Sequence, residues 1–156
     1  LRFLDDYRLA DRVIAGLEAF DVLGVAGSRR RAKNQVSWGF ADGKFSREAM
    51  RDLSGRIAHG DRPYGEMSYF GAVPAACELL DGVFIAAKKS RLREQAVQFD
   101  PRFDFHFYDL DFCRSAREQG LSIGTWGISL THQSKGNFKS AGWRENCQVF
   151  LDKWKS

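Results

Sequence analysis

Cysteines are few and long apolar runs are missing, and each shortage narrows what this chain can be. The three cysteines, Cys77, Cys113 and Cys147, are odd in number and widely spaced. They form no CxxC pair of the kind that holds zinc or cycles with a disulfide, so free, buried thiols in a reducing compartment are expected. No apolar stretch approaches the ~20 residues that span a bilayer. Nothing before the first helical segment reads as a signal peptide. A soluble, cytoplasmic protein is the expectation. Repeats and low-complexity tracts are missing too, and no segment matches a recognised nucleic-acid motif.

What remains suits one domain spanning residues 1–156, large enough to bury a core. Hydrophobic residues make up 44% and charged residues 28%, ordinary values for a globular protein. Thirteen Phe and four Trp can fill a core or line a sugar-binding cleft. The net charge of +4 suits an anionic substrate such as a nucleotide diphosphate, without selecting it over nucleic acid or acidic lipid. Its one local concentration is Ser28-Arg29-Arg30-Arg31-Ala32-Lys33, a solvated loop or a phosphate contact.

Patterning indicates an α/β chain. Tyr7, Ala10, Ile14 and Leu17, widened by Val13 and Phe20, predict an amphipathic helix over 4–20. Asp5 and Asp6 fall in its first turn, where the helix dipole favours negative charge. The run from Val22 to Gly27 predicts a buried strand. Residues 28–72 read as small strands and loops, with a tight turn at Asp42-Gly43. Further on, the pattern predicts a strand over 83–87, a helix over 88–98 and a turn at Phe99-Asp100-Pro101. A helix over 108–119 stopped by Gly120, a strand over 121–131 and a helix over 141–154 complete the order. Strands alternating with helices point to a mixed, mostly parallel sheet flanked by helices.

The densest polar and aromatic stretch runs from Phe103 to Phe112 and contains His106, Tyr108, Asp109 and Asp111. Asp109 and Asp111 lie near a predicted helix N-terminus, where backbone N–H groups stabilise carboxylates. A carboxylate held there among aromatic walls can act as a general base; it can equally cap the helix. Two residues apart, the pair cannot share a helical face, so one can face substrate while the other braces a neighbour. His132 follows a strand, and a neutral imidazole there is a good metal ligand or phosphate contact. His106, Asp109, Asp111 and His132 together could hold a divalent metal.

The ordered series Leu79-Leu80-Asp81-Gly82-Val83-Phe84-Ile85, Phe99-Asp100, His106-Phe107-Tyr108-Asp109-Leu110-Asp111-Phe112 and Thr131-His132-Gln133-Ser134 resembles bacterial family 2-like glycosyltransferases with the GT-A fold, in their C-terminal, acceptor-side part. The resemblance is clearest over residues 79–134 and softer over 4–27. It implies a nucleotide-sugar donor, a saccharide or other hydroxyl acceptor, which a membrane surface could carry, and a divalent cation, Mn²⁺ or Mg²⁺. It puts Asp109 on the acid that deprotonates the acceptor, Asp111 on its supporting acid and His132 on a metal or diphosphate ligand. Asp81, Gly82, His106, Tyr108 and Trp126 are then the expected substrate contacts. The donor-binding strand-helix region and its Asp-x-Asp motif have no counterpart, since Asp5-Asp6 reads as helix. A non-catalytic carbohydrate- or nucleotide-binding module is the alternative. A nucleic-acid partner is not expected, because the acids near 109 would repel phosphate.

Overall fold

The computed structural model of the chain describes residues 1–42, 44–133 and 140–155. A short strand, β1 (Phe3–Leu4), leads into α1 (Leu9–Ala19). The apolar run behind it, expected as one strand, splits at Val25 into β2 (Val22–Gly24) and β3 (Ala26–Ser28), both wholly buried. Next come the longest strands among the described residues, β4 (Leu53–His59) and β5 (Glu66–Gly71), paired as an antiparallel hairpin. The turn expected at Asp42-Gly43 includes Gly43, which lies outside the described residues; Phe40 and Arg47 on its flanks share an isolated antiparallel bridge. Then follow β6 (Ala75–Ala76), β7 (Leu79–Leu80), β8 (Ile85–Ala87) and the short α2 (Lys89–Glu94). The chain continues through α3 (Tyr108–Glu118), β9 (Ile123–Thr125), β10 (Leu130–His132) and α4 (Ala141–Lys153).

The strands form two mixed sheets. One runs β1-β10-β4-β3-β7, with β5 also on β4, and the other runs β6-β9-β2-β8. The expected α/β class holds, but the sheets are not mostly parallel. Of eight strand pairings among the described residues, only β10 with β4 and β2 with β9 are parallel. A parallel pair needs a crossover of a dozen residues or more. Among the described residues only β4 and β5 are joined by less, yet long connections such as β2 to β8 and β1 to β10 also end in antiparallel pairs. The strand expected over 121–131 is likewise two: β9 joins one sheet and β10 the other, with Trp126 and Gly127 between them.

Side chains of β2 alternate across the pleat. Val22 joins a core with Leu79, Phe103, Phe107, Phe112 and Phe150, whereas Leu23 joins Val25, Ile57, Ile128 and Leu130 beneath α1. The packed face of α1 is Leu9, Val13 and Leu17 around Gly16; Val13 and Leu17 belong to the predicted stripe, but Tyr7 is 97% and Ile14 61% exposed. Gly16 decides this. A Cβ there would meet the Leu23 side chain at 2.6 Å and Trp126 at 2.9 Å, so only a glycine-centred face can approach the sheet so closely. Asp5 and Asp6 precede α1 rather than opening it. Asp5 accepts from the Thr131 hydroxyl and Asp6 pairs with Arg12 at 2.8 Å. No helix among the described residues is long and apolar enough to cross a membrane.

Candidate functional site

The turn between β7 and β8 meets the first residues of α3, and that meeting builds the floor of a cleft. Asp109 accepts the Gly82 N–H through Oδ2 and the Leu110 N–H through Oδ1, both at 2.9 Å. Tyr108 donates its hydroxyl to the Gly82 carbonyl at 2.8 Å. Gly82 has to be glycine here, because a Cβ would lie 2.2 Å from that hydroxyl. The start of α3 is unusual: Phe107, a bulky residue, takes a left-handed φ of 66° and no side chain caps the helix, a strained conformation that surrounding structure must hold in place. Asp109 is therefore not the N-cap. It is the second helical residue and ties two distant segments together.

Asp81 completes the floor. Its Oδ2 accepts from the Trp38 indole N–H at 2.7 Å and its Oδ1 from the Val83 N–H at 2.7 Å. The cavity above, about 410 Å³, is walled by Trp38, Asp81, His106, Tyr108, Asp109 and His132, among others. Five of the sequence-predicted site residues thus meet with Gly82 in one place. A second chamber of about 920 Å³ shares Ser37, Trp38, Asp81 and His132 with the first and extends over the β4–β5 hairpin.

Electrostatics set Asp109 apart. Burial and then the charge of Asp81 push its carboxyl up to about 6, against the opposing backbone bonds from Leu110 and Gly82. The Tyr108 phenol is pushed up to about 12, again by burial first, and stays neutral. Burial lowers His132, with Asp81 opposing, which keeps the imidazole neutral and able to coordinate.

Two predicted residues lie elsewhere. Asp111 is fully buried on the far face of α3, where Oδ1 accepts from the Trp154 indole at 2.9 Å and Lys153 Nζ lies 2.8 Å away. It braces the end of α4 and does not reach the cleft. Trp126 packs against Gly16 beneath α1 and is not among the residues lining either chamber. Ser134, the last residue of the motif series, lies outside the described residues.

No family model and no curated protein matches this chain. The geometry of the site adds three residues to those predicted from the sequence. Trp38 lies in the 28–72 stretch that reads only as small strands and loops. His59 stands beside His132 because β4 and β10 pair in parallel at that step, with ring centroids 6.3 Å apart, a neighbour relation with no local signal. Glu48 lines the second chamber; its Oε1 takes the Arg30 Nε–H at 3.0 Å, and its buried Oε2 has no partner among the described residues.

Proposed function

We propose that this chain carries the acceptor-side, base-bearing part of a GT-A-like glycosyltransferase that works in the cytoplasm. The observation that supports it best is Asp109: a carboxylate on a cleft floor, held by two backbone N–H groups and poised near neutral pH. In this reading Asp109 takes the proton from an acceptor hydroxyl. That oxygen attacks the anomeric carbon of a nucleotide-sugar from the opposite face. The bond to the diphosphate breaks, its electron pair leaves with the phosphate oxygen, and the configuration inverts. Asp81, Gly82, His106, Tyr108 and Trp38 position substrate, and the free oxygen of Glu48 accepts a sugar hydroxyl in the second chamber. The two bound oxygens of Asp109 also suit a purely structural tie, which favours a non-catalytic binding module as the second reading.

Among the described residues no three metal-ligating groups cluster. The donor set on hand, His132 with Asp81, fits an ion whose remaining ligands are substrate phosphates and water, as is usual for Mg²⁺, and not an all-protein cage. When bound, such an ion would neutralise the diphosphate leaving group. Calorimetric titration with UDP-, GDP- and dTDP-sugars, with and without Mn²⁺, tests the reading. Metal-dependent binding that weakens at least about tenfold in His132→Ala is expected, because losing even a residue that only orients a metal ligand costs about 10- to 100-fold in metal affinity. Absence of binding to the whole panel removes the reading, and binding without turnover selects the module.

The pH dependence has a definite sign. Transfer should climb as pH rises through about 6, because only the ionised carboxylate accepts a proton. Stability moves the other way: the folded carboxyl holds its proton more tightly than an unfolded one near ~3.9, so this group's contribution is full below about 4 and is lost as pH rises through about 6. A kcat flat between pH 5 and 7 would contradict the assignment.

A further inference from the structure

Beyond Arg30, which holds Glu48, the basic loop after β3 lines neither chamber of the cleft; its residues Arg31 to Lys33 border a separate recess beside α3. Arg31, Ala32, Lys33, Arg114, Glu118 and Trp154 line this recess, which measures about 170 Å³ and shares no wall residue with either chamber of the cleft. That is far more than the ~15 Å³ that admits one water. Arg114 is its deepest residue, only 4% exposed. One guanidinium nitrogen, Nη2, donates to the Ala32 and Lys33 carbonyls at 3.0 and 3.2 Å. The group also lies over the Phe150 and Trp154 rings, at 4.9 and 5.5 Å. Its Nε–H has no partner among the described residues.

Among the described residues no carboxylate forms an ion pair with this buried charge, although Glu118 and Asp111 act on it from a distance. Asp111 is engaged by Lys153 and Trp154, and Asp100 by Arg102 and Lys153. Glu118 is the one acid in the lining, against the three cations Arg31, Lys33 and Arg114. Burial, and then Arg31, pull the Arg114 guanidinium down to about 10, with Glu118 and Asp111 opposing. A buried charge without a partner is costly, and guanidinium is the side chain best suited to tetrahedral oxyanions.

We infer that this recess binds a phosphate-class oxyanion, free or as the headgroup of a larger molecule, with Arg114 at its base and Arg31 and Lys33 at its mouth. The inference is independent of the transferase reading. Arg31 and Lys33 are exposed, so replacing them spares the core, whereas Arg114 is packed and its removal would confound folding with binding.

The test is a titration of inorganic phosphate at constant ionic strength, balanced with chloride. The Arg114 Nε–H resonance and the thermal midpoint are followed together. A saturable shift and a rise in midpoint, both weakened at least about tenfold in the Arg31→Ala/Lys33→Ala variant, are expected. No saturable shift overturns the site. An equal response in the variant shows an adventitious ion only and overturns it as well. Phosphatidylglycerol vesicles form a second arm: sedimentation with them that free phosphate competes away assigns the headgroup as the source. Sedimentation that phosphate does not affect, with no shift from phosphate alone, points to a diffuse surface charge and overturns the recess.

Discussion

Asp109→Asn is expected to slow transfer by about 10²- to 10⁴-fold, the span that a positioned general base contributes. The substitution is nearly isosteric. Its amide oxygen can still accept from either Gly82 or Leu110, the two donors that hold the carboxylate, so the tie between α3 and the β7–β8 turn is weakened rather than cut. What disappears is the ability to take a proton. Donor binding should persist while kcat falls, because the amide occupies the same space beside the cleft. The measurement is nucleoside diphosphate release in the presence of acceptor, alongside calorimetric affinity for the donor. An Asn variant that turns over at the native rate would leave Asp109 as a structural tie only.

The second large effect is on stability, and it separates two acids that the sequence presents as a pair. Asp111→Ala should cost about 3 kcal/mol, at the low end for breaking a buried ion pair. It leaves the Trp154 indole N–H without its acceptor and removes one of the two carboxylates around Lys153. Lys153 keeps Asp100 at 2.8 Å, which is why the low end applies. For a chain of this size the thermal midpoint should fall by roughly 6–12 °C. Below that temperature kcat should stay near native, since Asp111 does not line the cleft. A variant that is as stable as the parent but inactive would return Asp111 to the chemistry.

Parts of the stretch from Asp81 to His132 were legible because their chemistry is local, although Asp111 and Trp126 within it went elsewhere and its last strand divided between the sheets. The helix head near Asp109, the stop at Gly120 and the strand-end histidine each follow from a few neighbouring residues, and α3 and α4 lie within a residue or two of their predicted bounds. The face of α1 was only half legible for the opposite reason: spacing found Val13 and Leu17 but also favoured Ile14, whereas a close approach at Gly16 is set by Leu23 and Trp126, which come from other elements. The sheet direction was misread because the order of strands and helices does not set the sense of a pairing: a connection of a dozen residues or more permits a parallel pair without imposing one. His59 could not be found at all from its surroundings in the chain. It becomes a site residue only when β4 lies beside β10.

Side-chain chemistry and short-range pattern were thus enough to name an acid, a histidine and an aromatic wall, and to place them on helix heads and strand ends. Packing settled the rest: Asp109 came to the cleft while Asp111, two residues on, was buried under Trp154, and Arg114 was sealed against the basic loop. The physical reason is that the sense of a residue's exposure depends on what covers each face of its element, and that cover is supplied by segments dozens of residues away.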